Sequence, residues 1–291
     1  MRCRTCALVR FVLYLSWTLL LLPAQWLALV LRHDLARRIP VFYHRVCLRI
    51  IGLTLTTRGE IAASRPVLFI ANHSSYLDIA VLGSILPLSF VAKREVAGWP
   101  FFGLLAKLQR TVFVDRRHRR MAGEQRDQMV ARLKAGDNLV LFPEGTSDDG
   151  NRVFPFKSAL LGAAETEIEG RPVTVQPVSI AYTRLNGVPL GRALRPLLAW
   201  YGDMDLLPHF LRVFSLGRVS IEVTFHAPVR RTDFVSRREL SDHCHRMVAT
   251  GVAASIAGRD MEALGGSPEP PPAQEIADPA SRTAPQTAGQ P

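Results

Sequence analysis

The segment Asn72-His73-Ser74-Ser75-Tyr76-Leu77-Asp78 sets a histidine five positions ahead of an aspartate, directly after the apolar run Val67–Ala71. An imidazole that donates from one ring nitrogen to a carboxylate keeps a lone pair on the other, and that is what removing a proton from a hydroxyl requires. A second patch, Leu141-Phe142-Pro143-Glu144-Gly145-Thr146, closes another apolar run about seventy residues later. Glu144 and Thr146 supply polar groups there, and Gly145 tolerates close backbone approach or a positive φ. Asp115-Arg116-Arg117 follows a third run and offers guanidinium forks suited to phosphate or carboxylate. Each has a plainer reading: a helix cap with a first-turn charge for His73 and Asp78, turn punctuation for Pro143 and Gly145, and a solvated basic face for Arg117, Arg119 and Arg120.

These residues need elements that bring them to one edge. Val67–Ala71, Thr111–Val114, Asn138–Phe142 and Val173–Ile180 read as buried strands, nearly unbroken in apolar character. Leu77–Ile85, Arg119–Lys134 and Ser158–Ile168 between them have helical spacing, and a strand at Arg218–Phe225 and a helix at Arg237–Ala257 end the pattern. Alternation of this kind predicts an α/β fold with a mostly parallel central sheet flanked by helices. Such sheets gather ligands outside the carboxyl ends of their strands, where His73 and Glu144 both fall. Ser74 or Ser75 would cap the helix carrying Asp78.

The chain has 291 residues and is 48% hydrophobic, enough for one large domain with an appendage. Its 36 basic against 25 acidic residues leave a net charge of +11, which attracts nucleic acid or acidic lipid headgroups. Scattered basic residues without interleaved aromatics disfavour nucleic acid. Phe11 to Leu31 contains no formal charge and as a helix would extend roughly 30 Å, so an N-terminal hydrophobic helical membrane anchor is expected. A cleaved signal fits least, since the apolar stretch is long and no small-x-small site closes it. Spanning and single-leaflet helices both remain, with Ile39–Leu53 able to return along the membrane surface. The four cysteines read as reduced thiols. Three regions follow: membrane-associated helices over 1–55, a catalytic domain over 56–262, and a disordered, proline-rich tail over 263–291.

The order N-H-x-x-x-x-D, V-F-V-D-R, F-P-E-G-T and V-x-P-V, between Pro66 and Ile180, resembles the four blocks of the glycerolipid acyltransferases. That resemblance implies His73 as general base, Asp78 as its partner, and Arg116, Glu144, Gly145 and Thr146 as headgroup-binding residues, with Lys157 adding charge. It places Pro177 in the acyl-donor or packing block. It implies a lysolipid acceptor, acyl carrier protein or coenzyme A thioester as donor, membrane lipids as surroundings, and no cofactor or metal. The expected site is the inner membrane with the catalytic domain facing the cytoplasm. The leading acceptor on this basis is 1-acylglycerol-3-phosphate. Two departures matter: Arg110 stands where the family has a glycine, and Ser147-Asp148-Asp149 where an arginine often follows F-P-E-G-T. The latter, with Trp200-Tyr201-Gly202-Asp203-Met204, is similar to enzymes acylating lyso-ornithine lipid, the alternative acceptor. A third reading is a lysolipid-binding membrane protein without turnover.

Overall fold

The computed structural model describes residues 4–114 and 122–259. Its helices are α1 (Arg4–Val30), α2 (Leu35–Ile51), α3 (Leu77–Gly83), α4 (Phe102–Leu108), α5 (Ala122–Lys134), α6 (Leu206–Phe214) and α7 (Arg237–Ala257). The strands are β1 (Leu53–Arg58), β2 (Val67–Ala71), β3 (Ser89–Lys93), β4 (Val112–Val114), β5 (Leu139–Leu141), β6 (Glu167–Ile168), β7 (Arg171–Pro172), β8 (Thr174–Leu185), β9 (Val188–Pro189), β10 (Val219–Phe225) and β11 (Val229–Arg230).

One sheet carries the fold in the order β1-β10-β8-β2-β5-β3-β4, with β9 and β11 paired to β8. From β8 to β4 neighbouring strands run parallel, while β10 is antiparallel to β8 and β1 parallel to β10. The strand sequences explain the layering. Along β2, Val67, Phe69 and Ala71 enter one core and Leu68 and Ile70 the other, so both faces are covered and the run is apolar without a break. The first face packs against α1, α2, α3 and α6, including Tyr14, Leu48, Val81 and Phe214. The second packs against α5 and α7 through Met129, Leu133, Leu240, Cys244 and Val248.

The sheet thus agrees with the expected mostly parallel α/β architecture. One segment differs. Ser158–Glu165 forms a 3-10 helix, not an α-helix, and Ile168 lies in β6, paired antiparallel with β7. Gly170, with φ +73°, makes the turn between those two strands. Cys47 and Cys244 are buried thiols as expected, whereas Cys6 is disulfide-bonded, against the expectation. The start of the expected Arg119–Lys134 helix and the tail from 263 lie outside the described residues.

Candidate active site

β2 and β5 are adjacent and parallel, pairing Phe69 with Val140 and Ile70 with Leu141, so the loops after them emerge side by side. Asn72 fixes the first loop. Its side-chain amide donates to the Ile180 carbonyl at 3.0 Å and its oxygen accepts from the Ile180 N–H at 2.8 Å, which extends the ladder between β2 and β8. His73 follows at once, and the chain then turns into α3.

Asp78, in the first turn of α3, is the anchor of this loop. Its side chain is fully buried, and its Oδ2 receives the backbone N–H groups of Ser74 and Ser75 at 2.9 Å and meets His73 Nδ1 at 2.9 Å. Tyr182, in β8, donates its hydroxyl to Asp78 Oδ1 at 2.7 Å. Because every other contact to this carboxylate comes from a donor, His73 Nδ1 carries a proton as well, and the lone pair sits on Nε2. The ring stacks on Phe142, with centroids 4.2 Å apart and planes 21° apart, so its plane is set by packing as well as by the carboxylate. The side chain keeps 23% of its exposure, which leaves the basic edge reachable.

The expected cap by Ser74 or Ser75 is minor. Ser75 Oγ accepts from the Leu77 N–H at 3.4 Å, and the two serines act mainly through their backbone.

The β5 loop supports the histidine from the other side. Glu144 accepts the His73 N–H through Oε1 at 2.7 Å and the Phe154 N–H through Oε2 at 2.8 Å. This carboxyl is buried and occupied by backbone, so it braces two loops instead of projecting toward a ligand. Asp148 lies beside it, and its own N–H bonds the His73 carbonyl at 3.1 Å. Burial first, then the nearby Asp148 charge, pushes the Glu144 carboxyl up to about 9; burial likewise raises Asp148 to about 6. Both carboxyls are therefore protonated more readily than an exposed one.

Gly145 has φ +76°, the backbone conformation anticipated for it, and Thr146 is exposed beside it. Lys157 is exposed too, while its N–H bonds the Pro143 carbonyl at 2.9 Å. Arg116 lies outside the described residues. Pro177 is paired opposite Ile70 within the sheet, a packing position. Among the described residues no cluster of three His, Cys, Asp or Glu side chains is arranged to hold a metal ion.

Ser147 has a definite task. Its hydroxyl donates to the Trp200 carbonyl at 2.6 Å, and the Trp200 N–H donates to the Ser74 carbonyl at 2.8 Å. Trp200 is thereby tied to both motif loops, and its ring meets the edges of Tyr76 and Trp99. Next to this rim, a cavity of about 200 Å³ lies between the sheet and helices α1, α2, α4 and α6. Phe90 lines it and stacks on Phe142, which stacks in turn on His73. A base with an oriented carboxylate, separated from an apolar cavity by the Phe142 and Phe90 rings, suits proton removal from a hydroxyl on a molecule with a hydrocarbon chain.

A family model described as Acyltransferase matches residues 52–181, the span that holds every one of these motif loops. A lyso-ornithine lipid O-acyltransferase from Brucella abortus (strain 2308) is 43% identical over 247 residues, covering 84% of this chain and 92% of that relative. The chain belongs to the acyltransferase family. A 1-acyl-sn-glycerol-3-phosphate acyltransferase from Neisseria gonorrhoeae is 31% identical to this acyltransferase over 205 residues, covering 70% and 75% of the two chains. The acyltransferase also shares its fold with the 1-acyl-sn-glycerophosphate acyltransferase PlsC from Thermotoga maritima, at TM-score 0.61 and 21% identity over 86% of this chain and 97% of that one.

Tyr182, Phe142, Asp148 and Trp200 escaped the motif reading as partners of His73 and Asp78. Tyr182 stands 104 residues from Asp78 and resembles any strand aromatic. Asp148 stood out only as a departure in charge.

Proposed function

We propose that this acyltransferase moves a fatty acyl group from an acyl thioester of acyl carrier protein or coenzyme A to the free hydroxyl of a lyso-ornithine lipid. His73 Nε2 takes the hydroxyl proton as the oxygen attacks the thioester carbonyl; the C–S bond then breaks and the proton passes to the departing thiolate. Asp78 holds the ring and balances the imidazolium while it exists. Thr146, Gly145, Lys157 and Arg116 are proposed to meet the headgroup, with Glu144 acting through the His73 backbone.

The observation that carries the choice of acceptor is Ser147. Where an arginine would offer a fork to a phosphate, this side chain is short, neutral and spent on Trp200, and Asp148 and Asp149 follow it. The greater identity to the lyso-ornithine lipid enzyme than to the glycerophosphate one supports the same reading. The 1-acylglycerol-3-phosphate acceptor, favoured by the motifs alone, becomes the second reading.

Membrane attachment belongs to the proposal. Arg10 of α1 donates to the Phe214 and Leu216 carbonyls, and Gln25, fifteen residues on, donates to those of Ala36 and Leu108. At ~1.5 Å per residue α1 is tied to the catalytic body at points roughly 22 Å apart. This supports a helix lying in one leaflet along the domain, with Leu8, Val12, Leu19, Leu20 and Trp26 outward.

The deciding experiment offers membranes containing the protein labelled acyl carrier with lyso-ornithine lipid and lysophosphatidic acid in parallel, and identifies the product by mass. Acylated ornithine lipid is expected. Product from lysophosphatidic acid alone would reverse the choice of acceptor. His73→Ala should abolish transfer and leave membrane association unchanged; substantial residual turnover would remove His73 from its role.

A further inference from the structure

The cavity beside α3 is walled largely by carbon; the Tyr14, Thr18 and Tyr43 hydroxyls on it are bonded to one another, whereas Gln25 Oε1, His44 Nδ1 and Gln109 Nε2 have no partner among the described residues. His44 and Gln25 each retain only 6% exposure. Their orientations are fixed. The Gln25 amide nitrogen donates to the Ala36 carbonyl at 3.0 Å and the Leu108 carbonyl at 2.8 Å, and since carbonyls only accept, its oxygen must turn the other way. His44 Nε2 meets Gln109 Oε1 at 2.8 Å. Exchanging the Gln109 oxygen and nitrogen, with the other His44 tautomer, still leaves one donor and one acceptor unanswered. Gly83 makes the seat for this pair: a Cβ there would stand 2.5 Å from His44 Cδ2.

Buried polar atoms are almost always paired, and leaving one unpaired costs as much as a hydrogen bond or more. Three together beside one apolar cavity call for a ligand that brings hydrogen-bonding capacity into a hydrocarbon environment. A hydroxyl answers a donor and an acceptor at once. Gly83 is six residues beyond Leu77 in α3, roughly 9 Å farther from the His73 loop at 1.5 Å per residue. The polar group therefore lies well along the chain, away from the reacting end.

We propose that the cavity binds a substrate hydrocarbon chain carrying a hydroxyl partway along its length, with that hydroxyl bonded to His44 and Gln109. The inference rests on the acyl-transfer reading only for which substrate brings the chain. The hydroxylated chain belongs either to the acyl thioester or to the lysolipid.

The test begins with binding and requires no turnover. The full-length protein in detergent micelles is loaded with a fluorescent fatty acid, which is displaced by octadecanoic acid or by octadecanoic acid hydroxylated at mid-chain. The hydroxylated acid should bind about tenfold more tightly, the gain of pairing one buried donor–acceptor set. The double variant His44→Phe/Gln109→Leu should lose that preference and still bind the plain acid. Equal affinities for the wild type would overturn the proposal, as expected if the polar atoms take water, and this comparison decides the matter even if the double variant does not fold. A failure of acyl transfer would leave the binding result intact. Kinetic arms then place the hydroxyl on the thioester chain or on the lysolipid chain: the arm with increased kcat/KM identifies the source, and an increase in neither overturns the assignment to a substrate chain.

Discussion

At the scale of single residues, the proposed catalysis depends on holding one imidazole in one tautomer. Asp78 does this while accepting from Ser74, Ser75 and Tyr182, so its charge is spread over four donors and its oxygens cannot swing away from the ring. Tyr182→Phe deletes the donor to Oδ1 and leaves the rest. Hydrogen bonds to charged groups contribute about 1.5–3 kcal/mol. Steady-state kinetics should show kcat lowered about tenfold or more with KM little changed, and unaltered kcat would mean that the phenol serves packing only. Glu144 and Asp148 predict a pH effect on stability. Both carboxyls are raised on folding, to about 9 and about 6, from ordinary values of ~4. A carboxyl raised on folding stabilises fully below its unfolded pKa, and that contribution is lost as pH rises through the folded value. Thermal melts should therefore show a decline across about pH 4 to 9 that is flatter in Glu144→Gln. Equal slopes in the two proteins would contradict a Glu144 carboxyl raised by burial. The His73–Asp78 pair was legible because its partners are five residues apart; Tyr182 was not, because only the sheet brings β8 beside α3.

At the scale of elements, the backbone carries constraints that side-chain patterns hide. Gly59 follows β1 with φ +73°, and a Cβ on it would collide with the Phe225 carbonyl at the end of β10. Gly59→Ala should destabilise the protein by roughly 1–3 kcal/mol, read as a lower denaturant midpoint; an unchanged midpoint would show that the loop relaxes freely. Strands buried on both faces, β2, β5 and β8, were readable as continuous apolar runs, and α7 was readable from its spacing. The edge strand β1 was not, since only Leu53 of its six residues is buried and its threonines look like a loop. Helix α6 also escaped notice: Pro208 falls in its first turn, where proline is tolerated but reads as a break. Ser158–Ile168 misled because its small and apolar residues suit a helix, while contact with α7 and the β6–β7 hairpin imposes a tighter path.

At the scale of the whole molecule, α1 is at once part of the core and an exposed apolar surface. Tyr14 packs against Phe210 and Phe214, while Leu19 and Leu20 remain 56% and 68% exposed. Leu20→Lys with Trp26→Lys should weaken partition into vesicles at least tenfold, given roughly 1.5–3 kcal/mol for each large apolar side chain removed from water. The melting transition should stay almost unchanged, since neither side chain is packed inside; a large loss of stability would place them in the core. High salt should weaken vesicle binding by screening the basic residues, at about 1 kcal/mol for each well-placed Lys or Arg, without abolishing it. Complete release by salt would contradict apolar insertion.

The sequence by itself determined the alternation that yields a mostly parallel sheet, the positions of His73 and Glu144 at strand ends, and the apolar N-terminal helix. Each depends on periodicity or short spacing, which the covalent chain carries directly. Tertiary structure alone decided which groups hold the histidine, that Glu144 braces backbone, that Ser147 is committed to Trp200, and that Gln25, His44 and Gln109 share one cavity. The ties from Ser147 to Trp200, from Asp78 to Tyr182 and from Asn72 to Ile180 join residues 53, 104 and 108 positions apart, and the cavity group spans separations of 19 to 84 along the chain. Strand order and helix docking create them, and local pattern does not encode either.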